Sequence, residues 1–195
     1  MRKSLLVGAI ITSLVVITIV LYYSLKVSII DPKGIVEALK SMGYAGAFVS
    51  GLLATSTLFL GVFPSYVIIP LLVIFASLNP LVVGVLAGLG AGIGQYLHYY
   101  VGVGGRYMLS EKRRKSLAKW RPRLEKYGLW LILAFAMTPL TPDDLIWIPL
   151  GLVGYPKMKA LLAAITGKMI LNLIYAYVGY FFGESIIDLL KSIPL

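Results

Sequence analysis

The feature that most restricts the fold of this chain is a stretch of 65 residues, 41–105, that contains no Asp, Glu, Lys or Arg. Its only titratable side chains are those of tyrosines and of His98. The whole chain of 195 residues is 59% hydrophobic and has a mean hydropathy of +0.89, whereas soluble domains are about 45–50% apolar. A soluble fold cannot bury so long an uncharged run, so the sequence predicts an integral membrane protein.

The positive charge of the chain is concentrated in one segment. Nine of the 18 basic residues lie within residues 106–126, which contain only two acidic residues, and the formal net charge of the chain is +10. A basic cluster can bind nucleic acid, but between apolar segments the positive-inside rule favours a cytoplasmic loop. We therefore expect no nucleic-acid partner and a cytoplasmic loop over residues 106–127. This loop is expected to contact anionic headgroups, at about 1 kcal/mol per basic residue near the membrane.

The residues that most enzymes and metal sites need are scarce in this chain. It has no cysteine and one histidine, and it lacks a Gly-Lys-Ser/Thr phosphate-binding loop. Thiol catalysis and metal thiolates are therefore excluded, and no cluster with metal-ligand spacing is present. We expect no enzyme activity, no catalytic residue, no metal and no cofactor.

The first 43 residues predict one membrane helix and one surface helix. Residues 4–25 form an uncharged apolar run that is long enough to cross a bilayer and lacks the small-residue cleavage site of a signal peptide. Residues 31–43 carry apolar side chains at helical spacing, which indicates a short amphipathic helix at the outer membrane surface.

The next apolar region is interrupted in a way that indicates a re-entrant hairpin. Residues 44–63 are apolar, Pro64 and Ser65 interrupt them, and residues 66–78 form a second arm. A helix of 13 residues is about 20 Å long, which is short of the roughly 30 Å hydrocarbon core. Residues 81–103 then predict a full span, whose frequent glycines allow neighbouring helices to approach closely.

The same plan returns after the basic segment. Residues 128–137 form a short apolar arm, the segment from Pro139 to Pro142 interrupts it, residues 145–155 form a second arm, and residues 161–182 are long enough to span. An offset of 77 residues aligns the two regions, pairing Gly90 with Gly167, Ile93 with Ile170, and Tyr100-Val101-Gly102 with Tyr177-Val178-Gly179.

This internal repeat predicts the division of the chain. An N-terminal part comprises residues 1–43, with the membrane helix and the amphipathic helix. A core of residues 44–183 follows, made of a first repeat (44–105), the basic loop (106–127) and a second repeat (128–183). Residues 184–195 form a C-terminal tail.

Counting membrane crossings gives the orientation of the two repeats. With Arg2, Lys3 and the N-terminus in the cytoplasm, the first hairpin begins and ends outside, and residues 81–103 lead in to the basic loop. The second hairpin then enters from the cytoplasm, and residues 161–182 lead out. The predicted fold is an all-α integral membrane protein with two inverted repeats, each a re-entrant helical hairpin plus a transmembrane helix, preceded by an N-terminal transmembrane helix.

Two adjacent carboxylates, Asp143 and Asp144, follow the break in the second hairpin. One of them is suited to capping the helix that follows, where a carboxylate gains about 0.3–1 kcal/mol from the helix dipole. A pair exceeds what a cap needs, and adjacent carboxylates in a medium of low dielectric favour sharing a proton. We therefore predict that at least one of them forms a transport or proton site in a wet cavity at the hairpin tip.

Other residues are candidates for the same site or for its frame. Lys168 lies inside the last span, where it either pairs with Asp143 or Asp144 or extends its ammonium to the cytoplasmic interface. His98 can titrate near neutral pH, although a hydrogen-bonded histidine at the interface is the simpler interpretation. The residues predicted to form the hairpin tips are Pro64, Pro70, Pro139 and Pro142.

These segments resemble a known family of membrane proteins. FAMTPLTPDDLIWIPLGLVG (residues 135–154) and GKMILNLIYAYVGYFFG (167–183) are similar to the second half of the DedA family, also called the VTT or SNARE-associated domain. VFPSYVIIP (62–70) and GLGAGIGQYLHYYVG (88–102) are similar to its first half. The resemblance covers residues 44–183 and implies two re-entrant hairpins that face each other.

The resemblance also implies a function. Members of the family are implicated in moving lipids between leaflets, and prokaryotic members, which move polyprenyl-phosphate carriers or phosphatidylethanolamine, depend on the proton gradient. We therefore expect a lipid translocator, of the flippase or scramblase kind, in the plasma membrane of a prokaryote, with membrane lipids and protons as partners. A small-solute or ion/proton exchanger and a non-transporting membrane scaffold are the alternatives. The oligomeric state stays open, a homo-oligomer included.

Two departures from the family pattern concern the charged residues of the hairpins. Many bacterial members have an acidic residue in the first hairpin, whereas residues 50–70 contain none. They also carry a pair of arginines around the proline of the second hairpin, where this chain has Met137, Thr138 and Thr141. A phosphate group would therefore have to use Lys168, Arg106 or the hairpin backbone instead.

Overall fold

The computed structural model describes residues 32–56, 65–138 and 144–192, and within these ranges the regular structure is entirely helical. The helices are α1 (Pro32–Ser41), α2 (Tyr44–Ser56), α3 (Ser65–Ala76), α4 (Pro80–Met108), α5 (Glu111–Ala118), α6 (Arg121–Met137), α7 (Asp144–Val153) and α8 (Lys157–Ser192). α4 and the part of α8 that ends at Asp188 are long and apolar enough to cross a membrane. The predicted membrane helix of residues 4–25 lies outside the described residues.

The start of α4 is determined by two adjacent residues of the sequence. The side-chain oxygen of Asn79 accepts hydrogen bonds from the backbone N–H groups of Leu81 (2.9 Å) and Val82 (3.4 Å). Pro80 occupies the first helical position, where its missing N–H costs nothing. α4 therefore begins at Pro80, one residue before the predicted span of residues 81–103.

α4 and α8 form the centre of the fold and run antiparallel. The side of α4 that faces α8 carries a glycine every fourth residue, and the contacts are Gly84 with Leu173, Gly88 with Met169, and Gly92 with Ile165. A Cβ at Gly92 would lie 2.6 Å from Ile165 Cα. The backbones of α4 and α8 are therefore closer here than a residue with a side chain would allow. Because the residue numbers rise along α4 and fall along α8, the helices are antiparallel, and Gly90 lies level with Gly167.

α2 runs parallel to α4 and begins at the same end. Near the start of α2, the Asn79 N–H donates to Tyr44 Oη over 3.2 Å. Near the end of α2, Thr55 Oγ1 donates to the carbonyl of Ala91, in the middle of α4, over 2.8 Å. α3 then brings the chain back to Asn79. The two arms of this hairpin therefore begin and end at one end of α4.

The second arm of each hairpin packs on the long helix of the other half. In the first hairpin, Pro70 of α3 lies against Gly179 of α8, where a Cβ would be 2.7 Å from Pro70 Cα. In the second, the carbonyl of Ile148 in α7 lies against Gly102 of α4. Gly102 and Gly179 are the glycines that the 77-residue offset aligns. The two halves of the chain interlock, with α2 and α7 on α4 and with α6 and α3 on α8.

Two apolar clusters fill the space between these helices. The first joins the first hairpin to the start of α4 and the later part of α8, and its buried members are Leu39, Ala47, Leu53, Ile68, Ile69, Leu72, Val73, Val83, Ala87 and Ala176. The second joins the second hairpin to the later part of α4 and the start of α8, and its buried members are Tyr99, Ile132, Trp147, Leu150, Tyr155, Ala160, Ala163 and Ala164. Each cluster therefore needs residues from both halves.

The basic segment and the tail contain more helix than predicted. α4 continues to Met108, α5 and the first turns of α6 occupy much of residues 106–127, and α8 extends through the predicted tail to Ser192. Lys, Arg and Glu are good helix formers, and pairs four residues apart stabilise α5 and α6 (Lys115–Glu111, 3.0 Å; Arg121–Glu125, 2.7 Å). Hydropathy shows where the apolar residues end, but these helices continue beyond that point.

One predicted tip residue is placed differently. Pro70 lies inside α3 and is buried, as Pro149 lies inside α7, so the prediction that Pro70 forms the hairpin tip is wrong. Proline removes one helical hydrogen bond, but membrane helices tolerate this loss where neighbouring helices compensate, and Gly179 packs directly on Pro70. The other predicted tip residues, Pro64, Pro139 and Pro142, lie outside the described residues.

Candidate functional site

Polar side chains are buried on the two central helices. Among the described residues, the buried polar or charged side chains are Ser50, Gln95, His98, Lys168 and Asn172. Ser50 is satisfied within α2, where its hydroxyl donates to the carbonyl of Ala47 over 2.8 Å. The other four lie at separate levels of the apolar spans α4 and α8, over about 20 Å along the helix axes, and as a set they are called the deep polar site. Buried polar groups are costly in a membrane interior and mark functional positions there.

Gln95 and Asn172 occupy equivalent positions in the two halves. The 77-residue offset aligns them, and they are 0% and 1% exposed. Each lies five residues beyond the level of Gly90 and Gly167, about 7.5 Å to either side of it. The Asn172 amide donates to the carbonyl of Lys168 over 2.8 Å, whereas its Oδ1 is buried and accepts no hydrogen bond within the described part of the chain. The sequence prediction missed this pair, although the same offset would have found it.

Lys168 lies at the level of the break in the second hairpin. It follows Gly167, which packs on Ala136 near the end of α6, so that a Cβ on the glycine would lie 2.5 Å from the alanine Cβ. Only 6% of Lys168 is exposed, so its side chain is buried among the described helices. The predicted pairing of Lys168 with Asp143 or Asp144 involves side chains outside the described residues, so it stays a prediction.

The start of α7 lies level with His98. α7 begins at Asp144, one helical turn before Ile148, and Ile148 lies against Gly102, one turn beyond His98. A carboxylate at a helix start is favoured by the helix dipole. His98 is 1% exposed and so is buried rather than at an open surface. Asp143 and the side chain of Asp144 lie outside the described residues.

A groove between α6 and α8, here called the lateral groove, runs from a charged end to the level of Thr166. It has a volume of about 500 Å³ and is lined by Glu125, Lys126, Leu129, Trp130, Leu133, Lys159, Leu162, Ala163 and Thr166. The charged residues lie at one end, and Thr166, two residues before Lys168, lies at the other, about 10 Å away along α8. Trp130 and Leu162 are 72% and 59% exposed, so the groove has apolar edges.

Arg106 is separated from the deep polar site. It is half-buried near the end of α4, eight residues and therefore about 12 Å beyond His98, the nearest member of that site on the same helix. Of the residues proposed as charge partners, Lys168 and His98 thus belong to the deep polar site, whereas Arg106 lines a second cavity at the end of α4. Within residues 32–56, 65–138 and 144–192, no three His, Cys, Asp or Glu side chains are grouped so as to hold a metal ion.

Comparison with known proteins identifies the family. The family model of the VTT domain matches residues 63–181, more than half of the chain, and this range includes α3 to α7, most of α8 and all of the deep polar site. Searches for related curated proteins and for related solved structures returned no match. The chain therefore belongs to the VTT domain family, the domain of the DedA membrane proteins.

Proposed function

We propose that this protein moves lipid between the leaflets of its membrane and that the lateral groove is the path of the lipid on the cytoplasmic side. The groove carries the proposal, because its charged end suits a polar headgroup and its apolar edges suit acyl chains. At its inner end, Thr166 lies two residues before the buried Lys168 and at nearly the same level of α8. A headgroup moving along the groove would therefore reach the level of Lys168, whose side chain leaves α8 on the side away from Thr166. The lipid would be a phospholipid or a polyprenyl-phosphate type of lipid.

The arrangement of the hairpins supports an inverted-repeat transporter. α2 and α7 have 13 and 10 residues, so they are about 20 and 15 Å long and too short to cross a hydrocarbon core of roughly 30 Å. The hairpin of α2 and α3 begins and ends at one end of α4, while α8 runs antiparallel to α4. We take the two hairpins as re-entrant from opposite faces, the plan in which transporters place a substrate site at the midplane.

The alternatives fit these features less well. A soluble solute or an ion needs an aqueous path, whereas the lateral groove is bordered by exposed Trp130 and Leu162. A membrane scaffold has no use for buried Lys168, Gln95 and Asn172, which cost stability unless they serve a purpose. In the proposed mechanism, Asp143 or Asp144 binds a proton or a cationic headgroup, and Lys168 interacts with the headgroup phosphate or with the acids.

Filling the lateral groove is expected to slow lipid movement by about tenfold or more, because a packed space admits no second occupant. Thr166→Trp places an indole at the inner end of the groove. Ile174→Trp is the matched control, since Ile174 is an exposed residue of the same helix that does not line the groove. The measurement is quenching of a fluorescent phospholipid in proteoliposomes, compared with vesicles without protein.

The two tryptophan variants also give the result that would contradict the proposal. Wild-type protein that moves no lipid, or Thr166→Trp protein that moves lipid as fast as wild type, would refute the proposed path. Slowing by both variants alike would indicate a general effect of tryptophan and count equally against it. Size-exclusion profiles in detergent confirm that each variant is folded.

The proposed orientation makes a prediction for the basic segment. The chain has no cysteine, so single cysteines at Ser110 and Ser116, which are both exposed, report their side without background. With the basic segment in the cytoplasm, both are expected to react with a membrane-impermeant maleimide only after the cells are opened. Labelling in intact cells would show that the proposed orientation is wrong and that the lateral groove opens on the outer side.

A further inference from the structure

The cavity at the end of α4, here called the basic cavity, is formed by five helices and the turn between α7 and α8. Its volume is about 560 Å³, within the usual range of about 300–1,000 Å³ for sites that bind small molecules. It is lined by Tyr99, Tyr100, Val103, Arg106, Tyr107, Arg114, Arg121, Gly151, Gly154, Tyr155, Pro156 and Lys157. Its cations come from α4, α5, α6 and α8, and no acidic side chain is among the lining residues.

The positive charge of the basic cavity is largely uncompensated within the described part of the chain. Arg121 pairs with Glu125, at 2.7 Å between Nε and Oε1. Arg106, Arg114 and Lys157 have no carboxylate oxygen of a described residue within 4.0 Å. Cations that are brought together from separate helices repel one another, so an anion bound between them would relieve a cost that the fold otherwise carries.

The position of Arg106 depends on the turn that ends α7. Gly154 has a φ of +81°, and the Tyr155 N–H donates to the carbonyl of Leu150 over 3.0 Å, which is the hydrogen-bond pattern of a glycine-terminated helix. A Cβ at Gly154 would overlap Nη1 of Arg106, so the guanidinium lies directly on the turn. Tyr99 Oη holds the same turn by donating to the carbonyl of Tyr155 over 2.6 Å.

This contact gives Arg106 a structural role, since a cation is favourable at a helix C-terminus. The role does not extend to Arg114 or Lys157, which are exposed residues of α5 and α8 and still line the same space. Arginine and lysine from different elements are suited to a phosphate, which offers several acceptor oxygens at once.

We propose that the basic cavity binds the phosphate of an anionic phospholipid in the cytoplasmic leaflet. The cavity lies at the end of a membrane-crossing helix, where headgroups are found, and Tyr100 and Tyr107 at its edge are 39% and 50% exposed. Amphipathic tyrosine side chains at this level suit a ligand that keeps its acyl chains in the bilayer. This lipid is bound rather than transported, because Arg106 lies about 24 Å along α4 from the level of Gly90.

The test compares two double variants with the same change of charge. Arg114→Gln with Lys157→Gln removes two cations of the basic cavity, whereas Arg113→Gln with Lys119→Gln removes two exposed cations that do not line it. Binding of short-chain phosphatidylglycerol to the full-length protein in neutral detergent is measured by native mass spectrometry and by the shift in melting temperature. Short-chain phosphatidylcholine, glycerol phosphate and inorganic phosphate are the comparison ligands.

One saturable phosphatidylglycerol per chain is expected, with about tenfold or greater weakening in the cavity variant and less than about twofold in the control variant. Equal weakening in both variants would overturn the proposal in favour of diffuse surface attraction. Equally tight binding of glycerol phosphate or inorganic phosphate would overturn the lipid as the ligand. Binding of phosphatidylcholine as tight as that of phosphatidylglycerol would overturn the role of charge.

A single-substitution pair serves as the fallback for this test. If the double cavity variant is not monodisperse, Arg114→Gln alone replaces it with Arg113→Gln as its control, since both residues are exposed on α5. Binding is measured in detergent, where no leaflets exist, so its failure leaves the proposal of lipid translocation untouched.

Discussion

Gly102→Ala is expected to destabilise the folded protein by about 1–3 kcal/mol, and Gly102→Leu to prevent folding, because α4 and α7 touch backbone to backbone at this residue. A Cβ at Gly102 would overlap the carbonyl oxygen of Ile148 and lie 3.0 Å from Gly151 Cα. Neither atom belongs to a flexible side chain, so α7 would have to move as a whole. The loss exceeds the gain of about 1 kcal/mol that alanine brings to a helix interior.

Gly105 offers the matched control on the same helix. A Cβ there meets only Leu152 Cδ2, at 3.4 Å, which is a side-chain end that can shift. Gly105→Ala is therefore expected to leave stability unchanged or to raise it by up to about 1 kcal/mol. The measurement is the thermal unfolding midpoint in one detergent, with the monodisperse fraction as a second readout. Equal unfolding midpoints for the two alanine variants would show that the close contact of α4 and α7 contributes nothing to thermal stability.

At least one of the substitutions Asp143→Asn and Asp144→Asn is expected to abolish the pH dependence of lipid translocation. Each removes one charge while keeping nearly the same shape. In the proposed mechanism the two acids share one proton, so the pair rather than either residue is the functional unit. The double variant is then expected to be little worse than the worse single variant, since members of one unit fail non-additively. The assay is that of the groove variants, run across about pH 5 to 8.

Asp188→Asn is the matched control for these substitutions. Asp188 is exposed near the end of α8, so losing its charge should not alter translocation. Wild-type rates at every pH for both single variants and the double variant would reduce the acid pair to a helix cap. If the fold-loss of rate in the double variant equals the product of the fold-losses in the two single variants, the two acids act independently.

Local signals in the sequence predict the second arm of each hairpin closely. The predicted arm of residues 66–78 corresponds to α3 (Ser65–Ala76), and that of residues 145–155 corresponds to α7 (Asp144–Val153). Chain breakers and the length of apolar runs act on a few neighbouring residues, so they can be read without the fold. Pro70 is the exception, because its place inside α3 depends on the distant Gly179.

The candidate site was predictable only in part. The offset of 77 residues indicates that Gly102 and Gly179 are equivalent, but not that each faces the second arm of the other half. Likewise, a lysine inside a span can be buried or exposed according to its sequence alone, and only the packed helices show that Lys168 is buried. Such contacts join residues far apart in the chain, where local patterns carry no information.

The interlocking of the two halves has a consequence for biosynthesis. α3 packs on α8 through Pro70 and Gly179, and these residues are 109 positions apart in the sequence. At a synthesis rate of roughly 5 to 20 residues per second, α3 waits about 5 to 20 s before its partner has left the ribosome. During that interval the first half sits in the membrane with the surface meant for α8 uncovered. Before α8 is made, the newborn chain therefore exposes apolar surface that the folded protein covers.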